Sequence, residues 1–190
     1  MGYDLYGLSP HNPKEIKKPE SPDWKTATKD EQDSFFRALN KYEDEVPGHY
    51  FRNNVWWWRP LWEFVCLSCD DILDEDDVYK GCHNGGEKID EDKAEMIADR
   101  LFLLLKNKIV HKYQVKYETG LKKLPLIECH ICEGSGKRQE APKTGKGKHE
   151  CNGCSGTGKQ KSWATSYPFD SENVIEFAKF CSASGGFEIC

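Results

Sequence analysis

Two eight-residue segments of this chain share one pattern of thiols and glycines. The first is Cys129-His130-Ile131-Cys132-Glu133-Gly134-Ser135-Gly136, and the second is Cys151-Asn152-Gly153-Cys154-Ser155-Gly156-Thr157-Gly158. Each reads Cys-x-x-Cys-x-Gly-x-Gly, and 18 residues separate the two cysteine pairs. Four thiolates presented in two such hooks suit one structural zinc ion, which takes a closed tetrahedron of sulfurs at about 2.3 Å. The glycines fit the same chemistry. A chain turning tightly around a metal must visit φ > 0 and bring its amides close to sulfur, and glycine does so at little steric cost. Four thiolates leave no position for a reactive water, so the expected metal is structural rather than catalytic. The competing reading, a disulfide framework, suits the chain poorly. Its nine cysteines are an odd number, and paired Cys-x-x-Cys in a reducing compartment reads as metal.

Two further constellations have residue types that could do chemistry. Cys66, Cys69, Cys82 and His83 could form a second site of three sulfurs and one imidazole. The plainer reading is that Cys66 packs in the core and the others are incidental. The segment Arg52-Asn53-Asn54-Val55-Trp56-Trp57-Trp58-Arg59 offers two guanidinium groups suited to carboxylate or phosphate, two amides and three successive indoles. In a helix three successive side chains spread over about 200° of arc, so they cannot all face one core. Either the segment is an aromatic clasp with its arginines stacked on it, or Arg52, Asn53, Asn54, Trp56, Trp57, Trp58 and Arg59 line a pocket for an anionic, nucleotide-like ligand. Familiar catalytic signatures, including Gly-x-Ser-x-Gly, a Walker loop, His-Glu-x-x-His and a dinucleotide fingerprint, do not occur. Gly145-Lys146-Gly147-Lys148 lacks the Ser/Thr and preceding strand of a phosphate loop. The acidic run Asp70–Asp77 lacks the spacing of a calcium loop and reads as a solvated loop.

Composition limits the rest. The chain has 190 residues, 37% hydrophobic and 31% charged, with six Trp that can supply much of a modest core. No apolar run is long enough to cross a bilayer, and the Met-Gly-Tyr-Asp-Leu-Tyr start is not that of a signal peptide. The expected location is therefore cytoplasmic, with no membrane partner. The net charge of −5 is unevenly spread: Cys66–Asp99 carries 12 acidic against 3 basic residues, and Lys106–Lys161 carries 13 basic against 5 acidic. These are either two solvated faces or, for the basic segment, a nucleic-acid patch. The low overall pI of 5.7 and the few aromatics among the lysines disfavour the patch.

The elements that must position these groups are mostly helical by pattern. Thr28 with Glu31 forms a capping box ahead of Phe35, Phe36, Leu39 and Tyr42, and Val46-Pro47-Gly48 stops that helix. Pro60 suits the first turn of the next. Asp90–Leu105 carries acids at its start and an Ala94, Ile97, Ala98, Leu101, Leu104, Leu105 stripe. Next, Ile109, His111, Tyr113, Val115 and Tyr117 alternate as in a strand, but the longer stripe of Val110, Tyr113, Tyr117, Leu121 and Leu124 favours a helix ending before Pro125. Another helix starts near Asp170 or Ser171, and Phe187–Ile189 could form a strand that pairs with Tyr3–Leu8. The expected fold is mainly α, a small helical core with an inserted zinc-stabilised β-hairpin and a short two-stranded pairing of the termini. The core covers 1–127 plus 160–190. The hairpin covers 128–159, with the Lys/Gly-rich stretch 143–148 at its tip.

The repeated Cys-x-x-Cys-x-Gly-x-Gly resembles the cysteine-rich zinc domain of DnaJ-type chaperones. That domain has four copies and two zinc ions, so two copies here imply one ion, at Cys129, Cys132, Cys151 and Cys154. No His-Pro-Asp loop accompanies them, and co-chaperone activity is not implied. A broader resemblance rests on Tyr50-Phe51-Arg52-Asn53-Asn54-Val55-Trp56-Trp57-Trp58-Arg59-Pro60-Leu61-Trp62, the ending from Tyr167-Pro168-Phe169 to Gly185-Gly186-Phe187-Glu188-Ile189, and the start Met1-Gly2-Tyr3-Asp4. Together they resemble a family of uncharacterised proteins of tailed bacteriophages and some bacteria, which implies a phage setting and the host cytoplasm. The leading expectation is a non-enzymatic zinc-binding protein that contacts a host or phage protein. The alternatives are a pocket protein for a small anionic ligand at Arg52–Arg59, and nucleic-acid binding through the basic hairpin.

Overall fold

The computed structural model describes residues 2–138 and 149–190; the stretch 143–148, expected at the hairpin tip, lies outside them. By compactness the chain forms two units, residues 1–114 with 169–190, and residues 115–168.

The first unit is built on a four-stranded antiparallel sheet of order β2-β1-β6-β3. Its strands are β1 (Gly2–Gly7), β2 (Tyr50–Asn54), β3 (Glu87–Ile89) and β6 (Phe187–Ile189). Chain start and chain end do meet, Leu5 opposite Ile189 and Gly7 opposite Phe187. They form the centre of a larger sheet rather than an isolated two-stranded pairing, because β2 extends the β1 edge and β3 the β6 edge. The mainly α expectation is thereby corrected to a mixed α/β fold. Its cause lies in the two added strands. β3 is Glu-Lys-Ile, three residues with one apolar side chain, and β2 runs into a helix without a turn. Neither carries the alternation that marks a strand.

The helices of this unit are α1 (Lys29–Glu45), α2 (Val55–Ser68), α3 (Glu75–Gly81), α4 (Glu91–Lys106), α6 (Ser171–Ser184) and the first turns of α5 (Ile109–Lys122). Thr28 and Glu31 form the expected capping box of α1, and Asp90 and Asp170 cap α4 and α6. The start of α2 differs from expectation. Asn54 caps it, and Pro60 falls inside the helix rather than in its first turn. The acidic run is also more ordered than a solvated loop. Asp74 caps α3 in a reciprocal box with Asp77, and Asp77 is only 1% exposed. Lys80 and Lys93 both pair with Asp77, which makes a buried carboxylate tolerable.

α2 and α6 pack on the sheet, and α4 packs on α6 and α2. The core between them is largely aromatic. Trp58 stacks on Tyr3 at 5.2 Å and on Trp62 at 5.4 Å, and Phe177 meets Trp58 edge-on at 5.7 Å. Offset and edge-on ring geometries of this kind add to the burial of large apolar areas.

The second unit holds the rest of α5, the strand pair β4 (Ile127–Glu128) and β5 (Lys159–Gln160), and a short 3₁₀ turn at Trp163–Ser166. Its buried members, among the described residues, are Cys129, Cys132, Gly136, Cys151, Cys154 and Gly158. No aliphatic or aromatic side chain is buried there.

Candidate metal centre

The β4–β5 pair and a single bridge between Lys137 and Glu150 bring the two hooks face to face. In each hook the conformations repeat closely. Glu133 and Ser155 have φ of 48° and 49°, Gly134 and Gly156 both 77°, and Gly136 and Gly158 71° and 72°. Hydrogen bonds repeat too. The Gly136 N–H points at Cys132 Sγ at 3.3 Å, and the Gly158 N–H at Cys154 Sγ at 3.2 Å. The hooks then clasp one another: the Cys129 N–H donates to Gly158 O and the Cys151 N–H to Gly136 O, both at 2.9 Å. A Cβ on Gly136 would lie 2.3 Å from Gly156 O, and one on Gly158 would lie 2.1 Å from Gly134 O. The last glycine of each repeat therefore serves both its left-handed φ and the close approach of the opposite hook.

This arrangement gathers Cys129, Cys132, Cys151 and Cys154, all buried, with their sulfurs within 4.8 Å of one another. Cys129 and Cys151 Sγ are 3.8 Å apart and Cys132 and Cys154 Sγ 3.7 Å. A tetrahedral ion with metal–sulfur distances of about 2.3 Å sets its sulfurs about 3.8 Å apart, whereas a disulfide needs about 2.05 Å. The cluster could hold one metal ion. Its protonation points the same way. Burial pushes the Cys132 thiol up to about 11. Burial also raises Cys151, but the Gly153 N–H and the neighbouring thiols outweigh it and hold that thiol at about 7. Holding all four as thiolates side by side would need a cation to offset their mutual repulsion.

The other candidate set is not drawn together in this way. Among the described residues the four hook cysteines are the one group whose ligand atoms converge. Cys69 is buried and Cys66 half-buried, and burial pushes their thiols up to about 11 and 12. Cys82 is exposed. His83 turns to Tyr79, its ring 4.0 Å from that ring and its Nδ1 2.9 Å from Tyr79 O.

The Arg52–Arg59 segment divides by role. Arg52 pairs with Asp4 across the sheet at 3.4 Å. The Asn53 side chain, buried, donates to Asn173 Oδ1 at 2.8 Å, and Asn54 Oδ1 accepts from the Trp56 and Trp57 N–H groups. Trp56 is exposed, Trp57 half-buried and Trp58 fully buried. Trp58 and Arg59 do line a cavity of about 500 Å³, together with Tyr3, Trp62, Cys66 and Cys82. Sequence reasoning had no route to Tyr3 or Cys82 at this place, since only the fold brings them to α2. The indole N–H groups of Trp58 and Trp62 are already committed to Gly81 O and Val78 O, and the Tyr3 hydroxyl to Cys82 O. The cavity wall is consequently apolar apart from Arg59 and Glu63.

Comparison with known proteins gives no match: no family model, no curated protein and no solved structure is significantly similar to the chain. No helix among the described residues is long and apolar enough to cross a membrane.

Proposed function

We propose that the protein is a non-enzymatic, zinc-clamped binding protein of phage type, acting in the host cytoplasm by contacting a host or phage protein. The observation that carries the reading is the buried, converging set of Cys129, Cys132, Cys151 and Cys154, with sulfurs all within 4.8 Å of one another. An all-sulfur tetrahedron suits zinc, and four protein ligands leave it no open position, so the ion holds the fold and does no chemistry. The reducing host interior keeps these thiols available for the metal. The phage setting is supported by the Tyr50–Trp62 run and the chain's ending. Contact with a protein is supported by the second unit, whose apolar side chains stay at the surface: Leu126 is 60% exposed and Trp163 57%. Metal analysis of purified protein should give one zinc per chain, and zinc-loaded protein should capture a partner from host lysate that chelated protein loses. Metal-free material with its hook sulfurs oxidised to one another overturns the reading, as does capture of nothing but the chain itself.

A second reading is favoured by the cavity beside α2. A small ligand with a planar apolar body fits walls made of Tyr3, Trp58 and Trp62, with Arg59 to meet an anionic group. A nucleotide panel read by thermal shift tests it, since a ligand at a hundred times its Kd adds about 2.7 kcal/mol.

A further inference from the structure

The second unit carries an open groove of about 460 Å³. The last turn of α5 supplies Leu121 and Lys122, the following link Leu124 and Leu126, and the return after β5 supplies Lys161 and Pro168. The Tyr117 hydroxyl donates to Tyr167 O at 3.0 Å and ties the two walls together. The floor is aliphatic, yet Leu124 and Leu126 remain exposed. Glu118 is the single carboxylate on the lining, against the two ammonium groups of Lys122 and Lys161.

We propose that this groove docks an acidic, leucine-bearing segment of a partner protein. The proposal rests on the protein-contact reading above and names where the contact is made and by what chemistry. Three observations select this occupant. First, among the described residues neither Lys122 nor Lys161 is in an ion pair. The ion pairs present there all lie within 1–114 and 169–190. The groove thus offers uncompensated positive charge beside an apolar floor, which an amphipathic acidic helix complements. Second, the lining has no aromatic ring. Single-stranded nucleic acid binds by stacking its bases on such rings, and leucines do not replace them. Third, the chain's own acidic run is already committed. Asp71 pairs with Arg100 at 2.7 Å, Asp74 with Lys93 at 3.0 Å, and Leu73 and Asp77 are buried. A second copy could not offer that run without dismantling α3.

The test uses the full-length, zinc-replete chain and a fluorescein-labelled helical peptide with Leu at i, i+3, i+4 and i+7 and Glu or Asp elsewhere. Polarisation should show saturable binding that weakens with added salt. Leu126→Glu and the double variant Lys122→Glu/Lys161→Glu should each weaken it by about tenfold or more. Leu126 is an exposed side chain, and unchanged zinc content shows that the variant has folded. The assignment is overturned if no peptide binds, if a peptide with Lys in place of the acids binds equally well, or if the variants bind as the parent does. It is equally overturned if an oligothymidine displaces the peptide from the groove, or if Leu126→Glu acts only by dissolving a self-associated form. Its failure stays distinct from that of the broader reading. Lysate capture that survives both variants removes the groove and leaves protein contact standing, and loss of all capture removes both.

Discussion

Residues 2–114 with 169–190 and the described part of 115–168 reach order by opposite routes. The first has a hydrocarbon core in which Trp58, Phe177, Phe180, Phe187, Leu5 and Leu61 are wholly buried. Its buried carboxylate, Asp77, is sealed between Lys80 and Lys93. The second buries only sulfur and glycine, keeps its leucines and Trp163 outside, and carries ten Lys/Arg against five Glu over 115–168. A segment of that composition cannot offset its chain entropy with apolar burial. A metal ion held by the four hook thiols would supply the missing term while the apolar side chains stay at the surface. The contrast teaches that the same absence of a core which would call for an ion also leaves apolar side chains exposed.

The sharpest way to break this comparison is to take the metal away. Structural zinc contributes on the order of 10 kcal/mol of apparent folding free energy. Chelation, or Cys132→Ser or Cys154→Ser, should therefore unfold the segment around the hooks and leave the sheet standing. Amide exchange should show 127–138 and 149–160 losing protection while β1 and β6 keep theirs. Collapse of both together would mean that the two regions are not independently ordered. The reciprocal cut is Trp58→Ala. Emptying a fully buried indole site costs about 3–5 kcal/mol, which urea unfolding of the sheet should report, and zinc content should not change.

Glycines sharpen the comparison at smaller scale, because two of them should respond with opposite signs. Gly158→Ala places a Cβ 2.1 Å from Gly134 O at a φ of 72°. A left-handed strain of this kind costs on the order of 1–3 kcal/mol, and the backbone clash adds to it, so the zinc affinity of the hooks should fall. Gly120 lies within α5, and a Cβ there meets nothing within 4 Å. Gly120→Ala should instead stabilise by about 0.5–1 kcal/mol, seen as a higher unfolding midpoint with unaltered metal binding.

What could be read from sequence follows the same divide. The hooks were fully legible, because metal ligation is local: spacing and residue type state the chemistry, and the glycine conformations follow. Helices α4 and α6 were legible through their caps and stripes, and α5 through its stripe alone, against an alternation over 109–117 that also fits a strand. Of the sheet only the pairing of β1 with β6 was legible, because β2 and β3 are held by long-range partners, Asn53 opposite Tyr3 and Ile89 opposite Phe187, and leave no period of their own. The Trp run was legible only in part, for a related reason. Side-chain geometry shows that three indoles diverge but not which of them meets the core, and that choice depends on Tyr3 and Gly81, both far away in sequence. The acidic run concealed α3 because a high count of carboxylates reads as solvated until the two lysines that neutralise Asp77 are placed beside it.

Acid is the mildest probe, and it separates the two regions by which groups take up protons. The Asp77 N–H donates to the Asp74 carboxylate and Lys93 pairs with it, which lowers that carboxyl from 3.8 to about 2. A carboxyl depressed on folding contributes stability that is present above its unfolded value. That stability is lost as pH falls below about 3.8 and through about 2, and only below both values do folded and unfolded forms bind protons equally. Asp74 is largely exposed, so the effect should be small and weakened by salt. Asp74→Asn keeps a capping side chain and removes the charge. The variant should therefore be somewhat less stable than the parent at pH 5, and the gap should close as pH falls through about 2. Both should be read from β1 and β6 amides, because the hooks take up protons on sulfur and release metal over an acid range of their own. A parent and variant that stay equally far apart from pH 5 to pH 2 would show that the carboxylate's charge does not hold α3 to α4, and that Asp74 serves there as a cap alone.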